Sequence, residues 1–388
     1  MTDRLDSTRA ILADLVAFPT VSSEPNLEMI IHIAAMLGDL GAHLDLFHNE
    51  TGQKANLFAT LGPRAADGGI VLSGHTDVVP VTDQDWSTDP FRLHEADGRL
   101  YGRGTCDMKG FIAATLAMAP VWAALELKRP LHFAFTHDEE VGCLGGQALV
   151  AELAARGLRP AIAIIGEPTE MRIVEAHKGC CEYSVEFHGL EGHGSNPDAG
   201  VNAAEAAVRY VARLMELAEA LKARAPHNSP FTPPWTTINL DRIAGGHAHN
   251  VIPGRAEVDW EMRPVQAADM GFVKDAMARH VDEVLLPGMR ATDPAAAILT
   301  RVVGEVAGLE PMEDSAARCL LMDLTGEARA ETVPFSTEAG LFQSIGCAAA
   351  VCGPGSIAQA HKPDEYITLD QLSQCLTMLD NLATVLTR

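Results

Sequence analysis

The order of apolar and polar positions changes character twice along the chain. In the first part, helical and strand patterns alternate. Ser7 to Ala17 and Leu27 to Leu40 carry apolar residues at helical spacing, and the run Gly69 to Ser73 (GIVLS), ended by Gly74, suits a strand buried on both faces. Lys109 to Leu125 reads as a helix whose small residues allow close packing on a sheet. Leu131 to Thr136 is a second strand, Leu144 to Arg156 a helix closed by Gly157, and Ala161 to Ile165 (AIAII) a third strand. Alternation of this kind predicts an α/β fold with a largely parallel sheet.

The pattern shifts after Lys178. Cys180 to His188 (CCEYSVEFH) alternates in the manner of an antiparallel strand with one covered face. A helix follows over Asn202 to Arg224, then strands over Thr236 to Ile243 and Arg255 to Pro264, a helix over Ala267 to Leu285 and a strand over Ala297 to Val303. This βαββαβ order predicts a compact α+β insertion. Between its first helix and second strand lies an irregular loop, Ala225 to Pro234, with four prolines. From Gly304 the α/β alternation resumes, with Ala348 to Cys352 as a last core strand and Thr368 to Thr387 as a closing helix. The expectation is a two-domain chain: an α/β catalytic domain of residues 1–178 and 305–388, with an inserted α+β domain of residues 179–304.

Composition removes several functions from consideration. A net charge of −23 disfavours nucleic acid and anionic membranes as partners. No run of apolar residues is long enough for a membrane span, and the acid-bearing start, Met1 to Asp6, lacks a signal peptide's basic and apolar regions. The eight cysteines are scattered without a CxxC pair and read as reduced thiols, so a cytoplasmic location is expected.

The candidate chemistry lies just past the predicted strands. His75 and Asp77 follow GIVLS; His137, Asp138, Glu139 and Glu140 follow LHFAFT; Glu167 follows AIAII. A lone His or Asp at a strand end is usually a cap or turn residue. Three strands delivering imidazole and carboxylate to the carboxyl edge of one open sheet are better read as a ligand site. Asp107 sits among glycines in GRGTCDMKG, and His361 ends GPGSIAQAH past another strand. Two imidazoles and three carboxylates, from His75, Asp107, Glu140, Glu167 and His361, suit zinc or a similar divalent ion. Five ligands exceed the three or four of one zinc, and one bridging carboxylate would divide them between two metals. Asp77 is placed to hold the other nitrogen of His75 and so fix its tautomer.

The segments SGHTDVVPV, DGRLYGRGTCDMKG, HDEEVGCLGG, IIGEPT and CGPGSIAQAHKPDEY, in this order, resemble the motifs of the M20 metallopeptidase and deacylase family. The resemblance runs through nearly the whole chain. It implies a zinc-peptidase-like catalytic domain, an inserted domain that makes a homodimer, and two zinc ions per subunit, with cobalt able to substitute. It implies that Asp107 bridges the ions, that His75 and Glu167 hold one and Glu140 and His361 the other, and that the peptide after Asp107 is cis. By the same resemblance Glu139 is the general base, Asp77 orients His75, and His193 in GLEGHGS stabilises an oxyanion in the partner's site. Asn250 in HNVIP and Arg263 in WEMRP match positions that hold the substrate carboxylate or the oxyanion. The expected reaction is hydrolysis of a small N-acyl amino acid. The stretches AHKG, TEA and GSIAQAHKPDEY resemble those of family members that act on N2-acetyl-L-ornithine, which implies that substrate, with Glu338 as the candidate partner of its distal ammonium. Acetylcitrulline, succinyl-diaminopimelate and other acyl amino acids stay open as alternatives.

Overall fold

The strand Ile70–His75 is buried at every position, and so are Leu131–Thr136, Ile162–Pro168 and Ala348–Gly353. Strands with no exposed face belong in the middle of a sheet covered on both sides. In the computed structural model, which describes residues 2–65 and 67–388, these four form the parallel centre of an eight-stranded sheet. Their order is Leu131–Thr136, Ile70–His75, Ile162–Pro168, Ala348–Gly353. The register pairs Ile70 with both Leu131 and Ile162, so the carboxyl ends of these strands finish at one edge.

The flanks of the sheet depart from the parallel expectation. His43–His48 and Ala55–Leu61 form an antiparallel pair that adds to Leu131–Thr136, and Ile173–His177 pairs antiparallel with Ala348–Gly353. A small three-stranded sheet, Tyr366–Thr368, Arg99–Tyr101 and His94–Ala96, lies outside the main one. Short strands of this kind carry too few residues for a period to show.

The helix Lys109–Ala123 is buried along most of its length and packs with Thr2–Ala17 and Leu369–Leu386. Its Phe111 ring lies directly over the backbone of Gly166, where an added Cβ would stand 2.0 Å from the ring carbons. Gly166 is thus what lets the helix approach the strand that carries Glu167.

The chain divides into two units. One runs to Ala176 and takes up Pro311–Val333 and Thr337–Arg388; the other is His177–Glu310 with Pro334–Ser336. The second unit, taken by itself, is a four-stranded antiparallel sheet in the order Thr237–Gly245, Arg255–Arg263, Cys180–His188, Ala297–Val306. The residues Cys181, Tyr183, Val185, Phe187, Val258, Trp260 and Met262 face a core shared with the helices Ala203–Lys222 and Ala267–His280. Asn202 caps the first of these helices by accepting from the N–H groups of Ala204 and Glu205. Both outer strands are largely exposed. Among the described residues no helix is long and apolar enough to cross a membrane.

The contact at Gly166 can be tested. Gly166→Ala should destabilise the protein by about 1–3 kcal/mol through overpacking, read as a lower urea midpoint. Adding Phe111→Leu should recover part of the loss. An unchanged midpoint in the single variant would show that the helix yields freely.

Candidate metal centre

Each candidate ligand is placed by a distinct piece of the sheet edge. His75 is the last residue of its strand, Glu140 follows the turn after Leu131–Thr136, and Glu167 lies near the end of Ile162–Pro168. Asp107 precedes the helix Lys109–Ala123, and the Asp107–Met108 peptide is cis. His361 stands past Ala348–Gly353 at a left-handed φ of 64°, after the 3-10 turn Ile357–Gln359.

The structure brings all five together. Asp107 turns one oxygen to each imidazole: Oδ1 lies 3.0 Å from His75 Nε2, and Oδ2 lies 3.3 Å from His361 Nε2. Glu140 Oε2 is 3.0 Å from His361 Nε2, and Glu167 Oε1 is 3.8 Å from His75 Nε2. Two triads at this site have ligand atoms within 4.8 Å of one another, His75, Asp107 and Glu140, and His75, Glu139 and Glu167; a third among the described residues, Cys180, Glu182 and Glu261, lies in the second unit. Glu167 Oε1 is buried and has no hydrogen-bond partner.

Asp77 works differently from the expected carboxylate–imidazole pair. His75 Nδ1 donates to the main-chain carbonyl of Asp77 at 2.9 Å, while the carboxylate is 3.6 Å away. That carboxylate is engaged elsewhere: it accepts from the N–H of Glu139 (3.0 Å), the N–H of Glu140 (3.3 Å) and the hydroxyl of Ser22 (2.7 Å). Asp77 therefore orients the His75 ring with its backbone and turns Nε2 towards the carboxylates. With its side chain it pins the turn that presents Glu139 and Glu140.

The electrostatics follow from crowding carboxylates out of water. Burial raises the Glu167 carboxyl well above the usual range, with the charge of Asp107 adding to it. Burial likewise lifts Glu139, opposed by His75 and reinforced by Glu140 and Glu338. Burial also opposes ionisation of Asp107, but hydrogen bonds from His361 and His75 outweigh it and hold that carboxyl below its ordinary range. Hydrogen bonds to Asp107 and Glu140 push the His361 imidazole up to about 10 against its partial burial. Burial disfavours a charged His75, yet Asp107 and Glu167 raise it well above its ordinary value.

Three partners of the site lay outside the sequence reading. Ser22 holds Asp77, the Cys143 thiol donates to Glu139 Oε1 at 3.3 Å, and Glu365 accepts the Asp107 N–H at 3.0 Å. Glu365 had a signal, an acid four residues beyond His361; Ser22 and Cys143 had none in local pattern. Glu338 is 1% exposed, accepts from the Ser73 hydroxyl at 3.3 Å and lies against Gly146.

The remaining candidates lie in the second unit. His193 and Val251 are paired across a short ribbon, and Gly194 donates to the carbonyl of the exposed Asn250. His193 Nδ1 accepts the N–H of Ser195 at 3.2 Å and lies 2.7 Å from its hydroxyl, so in the neutral ring the proton sits on Nε2. Arg263 gives both Nε and Nη2 to Glu261 Oε2, at 2.9 and 2.6 Å.

Comparison with known proteins agrees with this arrangement. Residues 71–384 match the model of peptidase family M20/M25/M40. The chain is 39% identical over 383 residues to an acetylornithine deacetylase of Myxococcus xanthus, covering 98% of this chain and 97% of that protein. It is 36% identical over 389 residues to an acetylornithine deacetylase of Edwardsiella ictaluri, covering 98% of each. Its fold superposes on an M20 family metallo-carboxypeptidase of Sulfolobus solfataricus with a TM-score of 0.74 at 19% identity, over 98% of this chain and 99% of that one. The chain belongs to peptidase family M20/M25/M40 and is a hydrolase of amide bonds.

Proposed function

We propose that this site hydrolyses N2-acetyl-L-ornithine to acetate and L-ornithine, a step of arginine biosynthesis, using two divalent ions. The observation that carries the two-ion reading is Asp107, whose oxygens face two different imidazoles. The residues suit such ions: the unpartnered Glu167 Oε1 and the crowded carboxylates lack only cations, and imidazole with carboxylate is a donor set for zinc, with cobalt able to substitute. His75 and Glu167 would hold one ion, Glu140 and His361 the other, and Asp107 both. When bound, such ions polarise an amide carbonyl and acidify water.

The chain's own residues do the rest. Glu139 takes the proton of the attacking water as the C–O bond forms and gives it to the nitrogen as the C–N bond breaks. The Cys143 thiol holds one of its oxygens. His193, with Nε2–H as donor, is assigned to the oxyanion of a partner subunit's site, in a homodimer formed through the second unit. The exposed outer strands of that unit support symmetric pairing. Asn250 and Arg263 are assigned to the α-carboxylate; since Glu261 takes Nε and Nη2 of Arg263, the substrate is received at Nη1. The eight free thiols support a cytoplasmic setting. The names of the two relatives support acetylornithine over acetylcitrulline and succinylated substrates.

Removing the base while keeping the ligands separates these roles. Glu139→Ala should lower kcat by about 10²–10⁴-fold with bound metal unchanged; full activity would dismiss Glu139 as base. Mixing it with an inactive His193→Ala variant should restore partial activity through hybrid dimers. No recovery despite demonstrated subunit exchange would place His193 in its own subunit's site or in none.

The substrate is tested by kcat/KM across acetylornithine, acetylcitrulline, acetylmethionine and succinyl-diaminopimelate, with acetylornithine expected to lead. Preference for the succinylated compound would overturn the assignment. Glu338 is the candidate for the distal ammonium, and its burial makes the test sharp. If it meets that charge, Glu338→Gln harms acetylornithine more than acetylmethionine; equal loss on both would remove it from substrate recognition.

A further inference from the structure

Glu365 and Arg103 are each 1% exposed and paired at 2.7 Å. A buried ion pair is sustained by the further bonds its members make, and here most of those bonds go to the two loops that carry Asp107 and His361, while Arg103 Nε is buried without a hydrogen-bond partner. Glu365 accepts three main-chain N–H groups, from Gly104 at 3.0 Å, Cys106 at 2.8 Å and Asp107 at 3.0 Å. Arg103 donates to the carbonyl of Lys362 at 3.3 Å and to Gln84 Oε1 at 2.6 Å, and its guanidinium lies over the Trp86 ring. Gln84 closes the circuit by donating through Nε2 to the carbonyl of His361 at 3.0 Å. The strands Arg99–Tyr101 and Tyr366–Thr368 pair immediately beside this cluster, so the sheet register delivers Arg103 and Glu365 to one place.

The two imidazoles are held by unequal means. His75 is part of a central strand and hydrogen-bonded to its own chain, whereas His361 stands on a loop with its side chain 52% exposed. The other flank of Asp107 has a separate anchor: Lys109 donates through Nζ to the carbonyls of Leu15 and Phe18 at 3.0 and 2.8 Å. Losing the Glu365 cluster would therefore release His361 from Asp107 and Glu140 while leaving His75 and Glu167 in place.

We propose that Glu365, with Arg103 and Gln84, is a positioning clamp that sets the spacing between Asp107 and His361 and thereby the affinity of the site for the second of its two cations. The clamp rests on the two-ion reading of the site. Glu365→Gln breaks it at equal size, because an amide NH2 must then face Arg103 or a main-chain N–H, donor against donor.

The test is calorimetric titration of the metal-free protein with zinc, for the parent, Glu365→Gln, Gln84→Ala and His361→Ala. In the parent two binding events are expected. Glu365→Gln should weaken one of them by about 10–100-fold, the range for partners that orient metal ligands, and leave the other within about threefold. His361→Ala should weaken the same event, and adding Glu365→Gln to it should change the remaining event no further. Gln84→Ala, at a partly exposed position, guards against misfolding and should weaken the same event in a smaller step. Equal weakening of both events, or two unchanged events in Glu365→Gln and Gln84→Ala, would overturn the clamp. Fewer than two events in the parent would instead overturn the two-ion reading itself.

Discussion

Asp107, Glu139, Glu140 and Glu167 converge at the edge of the central sheet with two imidazoles among them, and all four carboxylates are withdrawn from water. Like charges at this separation cannot all remain ionised in a buried place unless positive charge is supplied. Much of the surrounding structure answers that constraint. Strand register brings His75 and Glu167 side by side, Asp77 spends its carboxylate on the Glu139–Glu140 turn, and buried Lys109 and Glu365 hold the two flanks of Asp107. These side chains work chiefly on main-chain groups, so the ligands are fixed through their backbone.

The division of labour around Asp107 has a chemical consequence. A carboxylate with one oxygen towards each imidazole is already arranged for sharing, which suits a reaction that needs both a polarised carbonyl and an activated water. Glu139, adjacent in sequence to a proposed ligand and hydrogen-bonded by Cys143, is the group we propose to move the proton. His361 is the exception in this rigid setting, being exposed and carried on a loop.

Part of this was legible in the sequence. Runs such as GIVLS and AIAII followed directly by His75 or Glu167 reveal both a buried strand and the chemistry at its end, because apolar continuity and strand polarity are local properties. The strand pattern of the second unit was legible for the same reason, since Cys180–His188 alternates between faces except at the buried Ser184. The antiparallel flank His43–His48 with Ala55–Leu61 was not read, although its strands are as long as the central ones. Asp77 shows the limit within the site. Its place two residues from His75 suggested a carboxylate–imidazole contact, whereas the backbone makes that bond and the carboxylate serves a turn 62 residues away in sequence. Partners such as Ser22 and Cys143 leave no local period to read.

The central claim is that the carboxylate cluster exists to hold two cations for amide hydrolysis. The most direct measurement is the number of zinc ions bound per chain after chelator treatment and replenishment, with N2-acetyl-L-ornithine hydrolysis followed on the same samples. The account predicts two bound ions, no hydrolysis in the stripped protein and its return with zinc or cobalt. Full hydrolysis in protein verified to be free of metal would contradict it.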